Sequence, residues 1–368
     1  SDWACMAPPP GYCQGQSEVY GLDETLIQGL DARDKSTRLL DQSRIGPILT
    51  GDRRDLGEGP PVTALFIQNT NPMVVCPESA RVAEGFARPD LFTCVHEQFM
   101  TETAEMADIV LPATTFLEHD DIYVASGHTY LQVTKAVIDP LPGTRSNHEV
   151  LCGLARRLGA AHPGFGMSAW ELIDATLKAS GLPDAQTVYE AHWHDCVKPF
   201  EEMHFLTGFG HADKRFHFRA DWAACGRDFA AMPALPGYSE AYDRADEERP
   251  FRLVAAPARS FLNTTFTETP GSLKREQRPT LLIHPQAAAA LGIGAGDRVR
   301  IGNRQGSLVI HAALFDGLQP DVVVVESIWP NSAFEEGQGI NLLISADPGP
   351  PAGGAVFHDT AVWISARP

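Results

Sequence analysis

Two apolar runs in this chain end in dense polar clusters, and those clusters are where its side chains can do chemistry. Val62 to Ile67 is nearly all apolar and runs into Gln68, Asn69, Thr70, Asn71 and Pro72. Leu91 to Val95 runs into His96 and Glu97, with Thr101 close behind. Amides, hydroxyls and carboxylates at such positions offer donors and acceptors to the edge of a nucleotide-like ligand. The plainer alternative for the first cluster is an Asx-turn that ends a strand, since Asn-Pro is a turn signal.

The elements that must position these clusters follow from the local pattern. Val62 to Ile67 has the length and composition of a strand buried on both faces. Glu78 to Ala87 reads as a crossover helix, and Leu91 to Val95 as the next strand. Thr101 reads as the N-cap of a short helix that runs through Met106. Asp108 to Pro112 is a further buried strand, stopped by its proline. Strand, helix and strand in this order make one turn of a doubly wound α/β sheet. In such sheets ligands sit beyond the carboxyl ends of the strands. His96, Glu97, Thr101, Thr114, Thr115 and Glu118 all fall at those ends.

The rest of the chain divides around this unit. Residues 1–55 form an irregular lead-in: Pro8 to Gly11 is loop, Gly21 to Leu30 suits a helix, and Asp31 to Gly51 reads as polar connection with an exposed Arg44. Residues 56–160 hold the α/β unit, ending in a strand or arm at Leu131 to Asp139 and a helix. That helix is capped by Ser146 or Asn147, with Leu151, Leu154, Ala155 and Leu158 on its apolar face. Residues 161–250 form a helical and loop connection, with a helix over Met167 to Ser180 and a linker at Glu240 to Pro250. Residues 251–368 are a second domain. Phe251–Ala256, Pro279–His284, Asp297–Gly302, Gly306–His311, Asp321–Glu326 and Ala361–Ser365 read as six strands around one short helix, Pro285 to Leu291. Glycines at the corners suggest a small closed β-barrel.

Bulk properties exclude several classes. The 368 residues suffice for two or three domains, and 43% apolar with 21% charged residues is ordinary for a soluble protein. A net charge of −18 argues against nucleic acid and against an anionic membrane surface. No apolar run approaches the ~18 residues of a membrane span. No signal peptide shows in Ser1 to Tyr20. Seven cysteines, at 5, 13, 76, 94, 152, 196 and 225, form no C-x-x-C pair, which suits reduced thiols in the cytoplasm. Cys5 and Cys13 read as ordinary thiols. His192, His194, Asp195, His204, His211 and His217 lack the spacing of one compact metal site.

The wording T-E-T-A-x-x-A-D-I-V-L-P-A-T from Thr101 to Thr114, with L-E-H-D-D from Leu117 and R-S-N-H-E-V from Arg145, resembles the second half of the molybdopterin oxidoreductase (dimethyl sulfoxide reductase-like) family. The resemblance runs from about Asp41 to the C-terminus. It implies a doubly wound parallel-sheet domain followed by a six-stranded double-psi-type barrel. It also implies a bis(molybdopterin guanine dinucleotide) cofactor with molybdenum held by pterin dithiolene sulfurs. That cofactor does the redox chemistry while the protein orients it. On this resemblance, Gln68, Asn69, Asn71, His96 and Thr101 belong to the ligand-facing edge. Glu97 or Asp121 would accept from guanine N–H groups, and Arg259 would meet phosphate or pterin oxygen. Asn263, Thr264 and Asn341 would bond pterin edges. His358 stands where relatives often carry a lysine, and Arg259 to Thr265 matches the family only loosely.

The family's iron–sulfur cysteines and molybdenum ligand lie in an N-terminal half that this sequence lacks. A 4Fe-4S cluster would belong there, so no catalytic residue is named. The resemblance makes the chain the C-terminal, cofactor-binding part of a longer cytoplasmic oxidoreductase, with that half and an electron-transfer protein as partners. S- or N-oxide reduction is favoured over formate oxidation. Two other classes compete. A scaffold like the large iron–sulfur subunit of respiratory complex I would have lost its molybdenum, and with it the polar strand ends. A plain nucleotide-binding module would show a glycine-rich phosphate loop after a strand, and Gly292 to Gly296 is only a helix-to-strand turn.

Overall fold

The computed structural model describes residues 4–7, 20–34, 36–125, 127–219, 221–222, 232–235, 237, 243–326, 328–349 and 354–366. The Pro8 to Gly11 loop and the side chains of Cys5, Cys13 and Cys225 lie outside the described residues. So do Ser126 and residues 240–242, the start of the expected linker.

In chain order, β1 (Ala4–Ala7) pairs in parallel with β2 (Arg38–Asp41). Strands β3 (Ala64–Gln68), β4 (Phe92–Glu97) and β5 (Ile109–Pro112) form a parallel sheet in that order. The Ser79–Phe86 helix crosses from β3 to β4, and the Glu102–Glu105 turn of helix from β4 to β5. The second begins where expected, because the Thr101 hydroxyl accepts from Ala104 N at 3.2 Å. Strands β6 (Asp121–Tyr123), β7 (Tyr130–Thr134) and β8 (His194–Asp195) make a separate small antiparallel sheet.

The remaining strands are β9 (Phe251–Ala256), β10 (Thr280–Ile283), β11 (Arg298–Gly302), β12 (Ser307–Leu314), β13 (Val322–Glu326) and β14 (His358–Ser365). They close into a barrel in the order β10-β12-β11-β14-β9-β13, with mixed parallel and antiparallel pairs. Alternation along each strand sends Leu253, Leu281, Ile283, Val299, Ile301, Leu308, Val323 and Val325 into a fully buried core. The expected class, an α/β sheet followed by a six-stranded barrel, is the observed one.

Several local expectations need correction. Residues 31–51 are more than polar connection: β2 and a helix over Ile45–Leu49 lie there, and that helix is buried throughout. It packs on the Ser79–Phe86 helix, so Ile45 and Leu49 join the core of the parallel sheet. Arg44 is 4% exposed, because its guanidinium is enclosed by Asp52, Asp55 and the Ala346 carbonyl. The helix expected over residues 21–30 is a single turn, Thr25–Gln28, ended by left-handed Gly29.

Neither outer strand of the sheet is buried on both faces. Ala64 and Phe66 of β3 and Ile109 of β5 are exposed, since each strand stands at an edge of a three-stranded sheet. The Asn147–Leu158 helix has its expected cap at Ser146, in a capping box with Glu149. Its buried face, however, is Val150, Cys152, Gly153 and Ala155, while Leu151 and Leu158 are exposed. Residues 243–250 do not form a free linker. Arg249 is buried against Asp243 and Asp246, and Asp243 accepts from Ala361 N of β14 at 2.9 Å.

Candidate cofactor-binding site

The sheet and the barrel are clamped together by hydrogen bonds from polar residues that follow β13. Asn341 donates through Nδ2 to the Val74 carbonyl at 2.8 Å. Asn331 donates to the Met73 carbonyl at 3.0 Å and to Glu102 at 2.6 Å. Glu78 N donates to the Ile344 carbonyl, and the Glu78 carboxylate accepts from Ala346 N. These contacts fix two walls of a cleft with a volume of ≈ 1370 Å³. That exceeds the ~300–1,000 Å³ of a pocket for a drug-sized molecule, so the space suits a long ligand. One wall is β3 with the Asp41–Ser43 turn, the other is the end of β9 with the start of β14.

Four of the residues expected to bind ligand line this cleft: Gln68, Asn263, Asn341 and His358. The others are disposed differently. Asn69 is exposed in a left-handed conformation, φ 51°, just past β3. Asn71 is buried, and its Oδ1 accepts from the Thr103 hydroxyl at 2.7 Å and the Thr103 amide at 3.3 Å. That pairing ties the ends of two loops together and occupies the side chain. Thr101 is likewise engaged as a helix cap. His96 lies fully buried at the end of β4, between Gln68 and Arg145. Glu97 is half-buried beside it. Arg259 is exposed on the loop after β9, and Thr264 accepts through its carbonyl from the Thr267 hydroxyl. Asp121 belongs to β6 in the separate small sheet, 3.6 Å from His119, and does not join the cleft.

Burial sets the electrostatics of the site. It pushes the Glu97 carboxyl above its ordinary value, and the charge of Glu268 from the barrel adds to the effect. It pushes the Cys76 thiol up to about 12, with the charge of Asp41 acting in the same direction. Cys76 lines the cleft but is no nucleophile there. Among the described residues, no group of three or more His, Cys, Asp or Glu side chains is gathered for a metal.

The residues missed by sequence reasoning are Arg38, Asp41, Gln42 and Ser43 of the lead-in, and Ala255 to Ala258 with Phe261 of the barrel. The familiar wording at Asp41 to Pro47 was the available signal for the first group. Backbone and apolar side chains make up the second, which leaves no chemical signature in the sequence.

One polar atom of the cleft wall is left without a partner. Asn341 is 1% exposed, its Nδ2 is committed to Val74, and its Oδ1 has no hydrogen-bond partner. A buried carbonyl oxygen left without a donor costs roughly 1–3 kcal/mol. A slight shift of the cleft wall would bring it within reach of a bound heterocycle's N–H groups. The amide-rich lining and the long cleft therefore fit a pterin dinucleotide.

Comparison with known proteins bears on the same regions. Residues 56–157 match the family model for molybdopterin oxidoreductase, and residues 251–361 match that for the molybdopterin dinucleotide binding domain. The chain is 34% identical over 342 residues to "Probable oxidoreductase YoaE" of Bacillus subtilis, covering 90% of this chain and 47% of that protein. It is 27% identical over 309 residues to the dimethyl sulfoxide/trimethylamine N-oxide reductase of Cereibacter sphaeroides, covering 76% of this chain and 37% of the relative. The chain thus spans less than half the length of these relatives. Among solved structures, acetylene hydratase from Pelobacter acetylenicus shares the fold with a TM-score of 0.72 at 18% identity, covering 87% of this chain and 46% of that one. The sequence models for both regions and the extent of the likeness show that this chain belongs to the molybdopterin oxidoreductase family.

Proposed function

We propose that this chain is the cofactor-holding portion of a longer molybdenum oxidoreductase that reduces S- or N-oxides with bis(molybdopterin guanine dinucleotide). The observation that carries the reading is the unpartnered Asn341 Oδ1 on the wall of the long cleft between sheet and barrel. The substrate class draws support from the curated relatives that are named for dimethyl sulfoxide and trimethylamine N-oxide. Molybdenum on pterin dithiolenes supplies two-electron oxo transfer when bound.

This chain's residues bind and orient. Gln68, Asn263 and Asn341 offer amides to heterocycle edges, His358 and Arg38 stand on the same walls, and Arg259 offers a guanidinium beside the barrel. Glu97, held above its ordinary pKa, would accept from a guanine N–H as it becomes ionised. No residue of this chain is assigned to the chemical step. The molybdenum ligand, any 4Fe-4S cluster and the docking of an electron donor fall to the rest of the longer polypeptide in this reading, which acts in the cytoplasm.

The test is elemental analysis of the full natural protein, together with guanine nucleotide released on denaturation. About one molybdenum and two guanine nucleotides per polypeptide are expected. A protein free of molybdenum, from cells that make the cofactor, would overturn the reading.

A further inference from the structure

The sheet wall of the cleft contains a hydrogen-bond relay whose direction can be assigned. His96 is 0% exposed, and its Nε2 lies 3.0 Å from the Arg145 carbonyl oxygen. A carbonyl oxygen only accepts, so Nε2 carries the proton. In the neutral ring Nδ1 is then an acceptor. Gln68 Nε2 lies 3.3 Å from it and donates. The amide of Gln68 is thereby turned, and its Oε1 takes no donor among the described residues. Gln68 lines the cleft. Asn341 repeats the arrangement on the barrel wall, with its N–H on Val74 and its oxygen unpartnered. Both amides therefore spend donors on protein, and the Gln68 oxygen is the acceptor left open to the ligand.

We infer that His96 is a positioning residue: it fixes Gln68 so that the cleft presents oxygen acceptors, which select a heterocycle edge rich in N–H donors. The 2-amino-4-oxopyrimidine edge, common to guanine and pterin, carries a ring N–H beside an exocyclic amine and meets that demand. Adenine places a ring acceptor next to its amine and meets it poorly. The inference rests on the cofactor reading above and adds to it the residue that sets selectivity.

The experiment uses the full natural polypeptide made in cells unable to synthesise the cofactor. GMP, AMP and 6-hydroxymethylpterin are titrated separately by calorimetry, so that guanine and pterin recognition are told apart. The expected wild-type preference for GMP or the pterin over AMP is about tenfold, the worth of one well-placed hydrogen bond. His96→Gln keeps a donor near the Nε2 position but no fixed acceptor for Gln68, so the preference should fall to about twofold or less with the melting temperature little changed. His96→Asn keeps an acceptor near the Nδ1 position and should retain the preference. Gln68→Met removes the acceptor itself and should weaken GMP or pterin about tenfold while sparing AMP; it carries the test if His96→Gln fails to fold. An unchanged preference in His96→Gln would overturn the positioning role alone, and an unchanged preference in Gln68→Met would overturn the acceptor assignment on which that role rests. A wild-type protein that binds AMP as tightly as GMP and the pterin would overturn the acceptor assignment. Binding of none of the three would remove the cofactor reading together with the inference.

Discussion

The Arg44 guanidinium donates to the Ala346 carbonyl at 2.7 Å across 302 residues of sequence. The same group makes a two-pronged contact with Asp55, at 2.6 and 2.9 Å, and reaches Asp52 at 3.2 Å. It joins the lead-in to the segment between β13 and β14. Replacing Arg44 with methionine would leave the nearly buried Asp55 carboxylate without its cation, while Asp52 keeps Arg54. A loss of about 3–5 kcal/mol is expected, as for removal of one partner of a buried pair. Urea denaturation checks it, and a loss below about 1 kcal/mol would mean solvent satisfies the site.

Acid should loosen the same corner. Hydrogen bonds from the Arg54 side chain and amide hold the Asp52 carboxyl down to about 2, from an ordinary 3.8. A carboxyl lowered in the folded state stabilises fully above its unfolded value, and the contribution is lost as pH falls through the folded value. Stability should therefore drop between about pH 4 and pH 2, by at most about 2 kcal/mol because Arg54 is exposed to screening solvent. Asp52→Asn should flatten that part of the pH profile, which thermal melts across the range would reveal.

Gly85 permits the closest helix contact in the sheet domain. A Cβ there would sit 2.5 Å from Leu49 Cβ. Gly85→Ala should cost about 1–3 kcal/mol by overpacking. Leu49→Gly in the same chain removes the opposing Cβ and should recover part of that cost, so the two changes would be non-additive in a double-mutant cycle. Simple additivity would show that the helices do not press together at this point.

Cys76 should resist alkylation. Its thiol is pushed up to about 12, so little thiolate exists at pH 8. Iodoacetamide is expected to leave Cys76 unmodified in the native protein and to label it in urea, as read by peptide mass spectrometry. Complete native labelling would contradict the burial that raises the thiol.

What was legible in the sequence is what local pattern encodes. The apolar run at Val322–Glu326 and the patterns of its companions mark barrel strands whose inward residues form the core. Thr101 and Ser146 declare helix starts by residue type and spacing, and both cap as expected. Gln68, Asn263, Asn341 and His358 were drawn to one cleft because strand ends and loops gather ligand-facing groups. The failures depend on distant partners. Nothing near Arg44 announces a carbonyl 302 residues away, so its burial was invisible. The Asn71 amide looks identical whether it faces a ligand or Thr103. Leu151 and Leu158 have the period of a buried face, but the helix turns Val150, Cys152, Gly153 and Ala155 inward instead.

The position of β14 has a consequence for how the protein is made. It lies between β11 and β9, so the barrel cannot close until residues 358–365 have been synthesised. A nascent chain carries five strands with two open edges, and pairing β9 with β14 spans more than a hundred residues. Such long-range closure is slow and leaves apolar strands exposed while it is pending. The order of events follows from the connectivity: residues 358–365 are made, the last strand inserts, and only then does the cleft acquire its second wall. Loading of a large ligand into the completed cleft thereby waits on this one strand.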